Sequence, residues 1–311
     1  MRTMYPEIGL ERICGLFGVS RQAHYKNERK LADVLNTHQK VVQMVLEKRM
    51  DHPKLGGRKL YHLLSEDLDR LGLKMGRDAF FDTLSSHNLL IKKKRRKAVT
   101  TNSVHWFRKY PNLIKELPIL GINQVWVSDI TYWRVNGKFL YLCLITDAYS
   151  RKVMGYELSD NMEAINNLRA LHMAITSAGV QLEGLVHHSD RGIQYCSHEY
   201  VQMLKSNQIL ISMTENGDPL ENAIAERING ILKQEYLRNY TVENLEQARL
   251  FTTKAINLYN NERPHLSCGM ETPQNVYQTN HKPEKLWKNY WKKTIVNQQQ
   301  DLNPTVNLYQ D

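Results

Sequence analysis

The feature that most constrains this chain begins at Gln124. Upstream, apolar residues recur mainly at helical spacing. From Gln124 the texture becomes QVWVSDITYWRV, then Asn136-Gly137, then KFLYLCLITDAYS and RKVMGYELSD. Asn-Gly between β-rich runs predicts a two-residue hairpin turn, so the runs read as three strands in hairpin order. Val125, Val127, Ile130, Leu140, Leu142, Leu144 and Ile145 supply their buried faces. A helix over 161–178, closed by Gly179, comes next. Then follow a short strand GLVHH, a helix SHEYVQMLKSN with Ser197 as its cap, and a second short strand ILISM. The loop TENGDP leads into the helices LENAIAERINGILKQEYL and ENLEQARLFTTKAINLYN. This order implies a mixed sheet flanked by helices, an α/β core.

Three carboxylates stand at telling places in that core. Asp129 lies inside the first strand between aromatic and β-branched neighbours. A carboxylate there is costly to bury unless a cation or hydrogen bonds compensate it. Asp190 follows the fourth strand, before the turn DRG, and Glu226 sits in a helix with 226 − 190 = 36, so 35 residues lie between them. Two carboxylates at strand positions and one on a helix suit a site for two Mg²⁺ ions. Mg²⁺ takes oxygen ligands and needs only a few carboxylates beside substrate phosphate oxygens. Two such ions roughly 3.5–4 Å apart stabilise both oxygens of a phosphodiester displacement. The first and fourth strands of such a sheet can bring Asp129 near Asp190.

Rival carboxylates need weighing. Asp147 ends the second strand and is either a partner group beside Asp129 or a turn residue. Glu221 and Glu235 lie about 140° and 180° around an ideal helix from Glu226. Asn222, Asn229 and Lys233 share the Glu226 stripe, which as a bland alternative is simply an exposed helical face. His187 and His188 precede Asp190, and paired histidines are often structural. Cys14, Cys143, Cys196 and Cys268 have no C-x-x-C spacing, which argues against a zinc site and a disulfide framework.

Charge divides the chain. Of the formal +10, residues 1–120 carry 24 Lys+Arg against 12 Asp+Glu, whereas residues 121–278 carry 13 against 17. A basic N-terminal third beside an acidic centre suggests a polyanion-binding module attached to a metal-dependent core. GLERICGLFGVSRQAHYKNE has the spacing of a helix-turn-helix, with Ser20 as N-cap and a second helix opening at Arg21 that would enter the major groove. A second such unit is expected from Arg58–Leu71 and a last helix near 78–88. The competing reading is a helical bundle with no DNA role. Lys92, Lys93, Lys94, Arg95, Arg96 and Lys97 are consecutive, an exposed linker that can also contact phosphates. The expected organisation is a helical DNA-binding region at 1–91, a basic linker at 92–117, a catalytic core at 118–278 and a tail at 279–311. Trp287 and Trp291 lie in that tail. No apolar run resembles a secretory signal or the ~20 residues of a membrane span. A cytoplasmic, nucleoid-associated location is the expectation.

VSDITYW, HHSDRGIQY, SMTENGDPLENAIAERINGILKQEY and YNNERPH, in this order, resemble the IS-three insertion-sequence transposases. These share the ribonuclease-H-like DDE core of retroviral integrases. The resemblance is close over 118–278 and weaker over 9–100. It implies that Asp129, Asp190 and Glu226 form the catalytic metal-binding triad and that Lys233 contacts DNA. It also implies Mg²⁺ as cofactor, with Mn²⁺ as a substitute. Double-stranded DNA, both transposon ends and target, would be the partner, together with further copies of the chain and an upstream reading-frame product. Ile193 and Glu221 depart from the family's usual Ser and Asp. The implied activity is strand cleavage and strand transfer; the alternative is a catalytically idle DNA-binding protein derived from a transposase.

Overall fold

Asn136 and Gly137 both take positive φ, 46° and 81°, as a two-residue hairpin turn requires to match strand twist. In the computed structural model of this chain, which describes residues 8–91, 108–180, 182–215, 221–281 and Pro283, that turn joins β1 (Val125–Val135) to β2 (Lys138–Asp147). The two pair antiparallel from Val135↔Lys138 to Trp126↔Asp147. β3 (Val153–Ser159) adds antiparallel to β2. On the other side, β4 (Val186–Ser189) lies parallel to β1, and β5 (Leu210–Met213) parallel to β4. The sheet order is β3-β2-β1-β4-β5. This is the mixed sheet the sequence implied.

Helices cover both faces, and β2 shows why its sequence is almost continuously apolar. Leu142 and Leu144 pack with α7 (Ala223–Ile231) and α8 (Leu245–Asn261), through Ile228, Ile231 and Tyr259. Cys143 and Ile145 point the other way, toward α5 (Ala164–Ala178) and α6 (His198–Ser206), through Ala170, Leu171 and Leu204. Strand side chains alternate faces, so a strand covered on both sides must be apolar at both parities. Gly179 closes α5 at φ 62°, as its position predicts. Ser197 occupies the N-cap of α6, but its hydroxyl makes no capping bond. At Gly155 in β3, α5 comes so close that an added Cβ would lie 2.7 Å from Ala174 N and closer still to Ala170 O.

Two compact units divide the chain, 1–97 and 98–311. The first is helical: α1 (Leu10–Leu16), α2 (Arg21–Asp51), α3 (Gly57–Arg70) and α4 (Arg77–Ser86). Ser20 caps α2 as expected, accepting from Ala23 N at 3.1 Å. α2 runs unbroken for 31 residues, carrying the helix expected to open at Arg21 through to Asp51. Val41, Val45, Leu60, Leu64, Phe80 and Leu84 form this unit's core. In the second unit, residues 110–119 run against the sheet before β1 begins. Met213 N donates to Pro111 O at 3.2 Å, and Ile114, Leu117 and Ile119 pack with Val125, Val127 and Val186. A short α9 (Pro273–Thr279) follows α8. No described helix is long and apolar enough to cross a membrane. The basic run 92–97 and both tail tryptophans lie outside the described residues.

Candidate active site

The sheet register brings two of the three carboxylates together. β1 and β4 pair as Val127↔His188; two residues further on stand Asp129, within β1, and Asp190, just past the end of β4. Asp129 opposes Leu144 across β2, so its side chain shares the face covered by α7 and α8. There Asn229 of α7 donates from Nδ2 to Asp129 Oδ2 at 2.7 Å, and Ile130 N donates to Oδ1 at 2.9 Å. Asp190 Oδ1 accepts from Gly192 N at 3.0 Å, which fixes its carboxylate across the turn. Glu226 is exposed in the first turn of α7.

Electrostatics ties the three together. The Asp129 carboxyl is pushed up to about 7, first by desolvation, then by the charge of Asp190, and further by Glu226, against the opposing effect of its two hydrogen bonds. Beneath them, burial and then the charges of Asp190 and Asp129 drive the Tyr195 phenol well above its ordinary range. The Tyr195 hydroxyl lies 3.1 Å from Ser128 Oγ. Among the described residues, however, no three His, Cys, Asp or Glu side chains are gathered closely enough to hold a metal ion by themselves.

α7 is tied to β1 at two points one heptad apart. Asn222 Nδ2 donates to Ser128 O at 2.9 Å, and Asn229 to Asp129 as above. Both asparagines are buried, and the Oδ1 of each has no partner. Sequence reasoning set them on the Glu226 stripe without assigning them this task. A buried amide facing a strand carboxylate leaves no periodic signature.

The rival carboxylates have other partners. Asp147 accepts from Ser150 N at 2.7 Å, Ser150 Oγ at 2.6 Å and Asn123 N at 2.8 Å, and is fully buried. It is a turn residue, three strand positions from the register of Asp129. Glu221 Oε2 accepts from Glu215 N at 2.6 Å, at the base of the loop before α7. Glu235 holds Arg263 through two 2.7 Å bonds, and that guanidinium is 1% exposed. His187 Nε2 lies 3.0 Å from Tyr200 OH, and His188 Nδ1 lies 2.8 Å from Ser212 Oγ. Burial lowers both, to about 3 and about 4, so both are neutral and structural.

The remaining DNA-contact candidates belong to separate units of the chain. Arg21 opens α2, exposed, 3.6 Å from Glu11. Lys233 does not continue an ideal α-helical stripe, because a π-helical segment, Leu232–Tyr236, interrupts the helix. Its Nζ stands 3.8 Å from the centre of the Tyr132 ring.

Two family models described as integrase core domain match residues 121–219 and 207–273. The chain is 32% identical over 273 residues to a Shigella sonnei protein named insertion element IS600 uncharacterized 31 kDa protein, covering 84% of this chain and 96% of that one. It is 29% identical over 214 residues to transposase InsF for insertion sequence IS3A of Escherichia coli K12, covering 68% and 74% respectively. Among solved structures it is similar to the HTLV-2 integrase catalytic core domain in complex with magnesium, at 20% identity and a TM-score of 0.41, covering 55% of this chain and 99% of that one.

Proposed function

We propose that this chain, which belongs to the IS3-type family of insertion-sequence transposases built on an integrase core domain, cleaves and joins DNA with Asp129, Asp190 and Glu226 as its catalytic, metal-holding carboxylates. Family membership sets the reaction class: a polynucleotidyl transferase that cuts a strand at the element's end and transfers the freed 3′-hydroxyl to a second phosphodiester. The assignment of residues and metal rests on this chain's own chemistry.

The observation that carries it is the β1–β4 pairing that sets Asp129 and Asp190 side by side under α7, which bears Glu226 and is tied to Asp129 through Asn229; both Asp190 and Glu226 oppose ionisation of the Asp129 carboxyl. Mutually repelling acids half-buried at a sheet end are stabilised by a divalent cation. The donor set fits Mg²⁺, with Mn²⁺ as a substitute: it is all oxygen, with neither thiolate nor imidazole. Mg²⁺ characteristically takes one or two carboxylates and completes its shell with water and phosphate oxygens. Asp129 and Asp190 therefore suffice as anchors, and Glu226 joins them with the substrate present. When bound, the metal supplies Lewis-acid polarisation of the phosphoryl group and lowers the pKa of bound water.

The chain's own groups do the positioning. Ile130 N–H and Asn229 Nδ2 each take one Asp129 oxygen, so that carboxylate cannot swing. Lys233 offsets phosphate charge beside the reacting strand. The helix-turn-helix spacing at 9–28, with Arg21, and the run Lys92–Lys97 supply grip on double-stranded DNA, salt-dependent where phosphates are contacted. Two ends must be held together, so the working form is a multimer.

The test is Mg²⁺-dependent nicking and strand transfer on a labelled end of the element, with the full chain. Glu226→Gln and Asp190→Asn should each lower turnover by at least 100-fold while DNA binding persists. Wild-type turnover in Glu226→Gln would end the assignment.

A further inference from the structure

Glu235 lies seven residues past Ile228, so on an ideal α-helix the two would stand about 20° apart. Ile228 is 1% exposed and packs in the core that α7 and α8 form against the sheet. Continued α-winding would therefore aim the Glu235 carboxylate into that core and turn Tyr236 about 80° from Ile228, toward its edge. The chain winds otherwise. Leu232–Tyr236 is a π-helix, whose i→i+5 bonds span one residue more than those of an α-helix. Tyr236 thereby enters the core at 0% exposure, while Glu235 keeps 18% of its side chain exposed. Arg263, just past the end of α8, takes both Glu235 oxygens at 2.7 Å. Its guanidinium also lies 5.6 Å from the Tyr259 ring centre and donates to Pro264 O at 3.3 Å. The same π turn carries Lys233, whose Nζ stands 3.8 Å from the Tyr132 ring centre.

We infer that Arg263 is a positioning residue for Lys233: its bidentate pair with Glu235 selects π over α winding at 232–236 and so sets the direction in which Lys233 leaves the helix. This deepens the proposed function and rests on the phosphate contact assigned there to Lys233. A buried ion pair is weak evidence for stability, because packed apolar side chains of similar volume serve as well. What the pair supplies is a choice of winding. π turns are rare and collect at functional sites, and this one keeps a carboxylate out of the core while a cation stands at the margin to receive it. A leucine at 235 would remove that demand: under α-winding it would join Ile228, Ile231 and Leu232 on the buried face. Arg263, itself 1% exposed, is shielded from DNA and acts through Glu235.

The experiment is a double-mutant cycle on DNA binding by the full chain, read as the slope of log affinity against log salt. A lysine on a phosphate contributes about one to that slope. In the wild-type background Lys233→Ala should therefore flatten it by about one. In the Arg263→Met/Glu235→Leu background, checked for folding by circular dichroism, the slope should already be flatter by about one, and Lys233→Ala should change it little further. Glu235→Gln offers Arg263 one acceptor oxygen instead of two and gives a second background, in which the Lys233→Ala effect should shrink. A purely structural pair predicts the opposite: in the folded double variant, Lys233→Ala would flatten the slope by as much as in wild type. That result would overturn the inference, as would an undiminished effect in Glu235→Gln if the double variant does not fold. No change from Lys233→Ala in wild type would instead remove the phosphate contact from the proposed function, and the positioning role with it.

Discussion

Replacing Asp129 with Asn should stabilise the metal-free protein above neutral pH while abolishing its chemistry. The carboxyl moves from 3.8 to about 7 on folding. A raised acid holds its proton longer in the native state than in the unfolded one. Between pH ~4 and ~7 the native state therefore binds more protons, and stability falls as pH rises through that window. Below it the contribution is fully present, and above it the loss is complete. About three units at about 1.36 kcal/mol each gives a ceiling of roughly 4 kcal/mol. Asp129 is only partly buried, so solvent screening reduces this to about 1–3 kcal/mol. The substitution is nearly isosteric. One amide oxygen can still accept from Ile130 N, and the unpartnered Asn229 Oδ1 can accept from the new amide if Asn229 turns over.

The assay is calorimetry of the full chain with chelator, from pH 4 to pH 8, because two compact units make a single-probe melt ambiguous. Buried His187 and His188 gain stability over the same range in both proteins, so the readout is the difference: the advantage of Asp129→Asn over wild type should be small at pH 4 and grow up to pH 8. At pH 8 the variant's transition should lie about 4–8 °C higher for a 2 kcal/mol gain. Added Mg²⁺ should raise the wild-type transition at pH 8, do little at pH 4, and do little to the variant at either pH. A variant that is destabilised equally at pH 4 and pH 8 would refute the reasoning, since Asp129 would then be a structural carboxylate.

Two further substitutions test the scaffold. Gly155→Ala sets a Cβ against α5 backbone, 2.7 Å from Ala174 N, where no side-chain rotation relieves it; a loss of roughly 3 kcal/mol is expected in denaturant unfolding, and a change under 0.5 kcal/mol would contradict the contact. Arg263→Met strands Glu235 in a largely buried site and should cost about 3–5 kcal/mol, much of it recovered by adding Glu235→Leu; a double variant no better than the single would show that the pair does more than neutralise itself.

The legible parts of the fold were those with local chemistry. Asn136-Gly137 announced its hairpin, Gly179 its helix end and Ser20 its cap, because each acts within a few residues. The sequence left open whether the first and fourth strands bring Asp129 near Asp190; the parallel β1–β4 pairing is what sets their ends side by side. Other features depended on distant residues. The two roles open for Asp147 were separated only by Ser150 and Asn123, which bind its oxygens. Glu235 looked like a rival for Glu226 until Arg263, 28 residues on, took both its oxygens. The π-helical segment at Leu232–Tyr236 ended the ideal helical phase on which the Lys233 stripe was drawn. Ser197 had a capping position and a capping residue type, yet its hydroxyl makes no capping bond.

The three carboxylates are held with unequal stiffness, and this bears on how the site assembles. Asp129 sits in a strand paired along its length with β2 and is gripped at both oxygens. Asp190 follows a strand paired on both sides and is anchored by Gly192 N. Glu226 has neither restraint. It is exposed on α7, and two asparagine bonds to β1 fix that helix on the sheet. One of those bonds ends on the Asp129 carboxylate itself, so any cation drawing on that oxygen also acts on the tether of α7. On the proposed assignment, the position of Glu226 is thus coupled to metal occupancy of Asp129 and Asp190. Under that assignment two acids would rest prearranged and the third would join once DNA and metal are present, so Asn229→Ala should weaken Mg²⁺-dependent cleavage more than it weakens DNA binding.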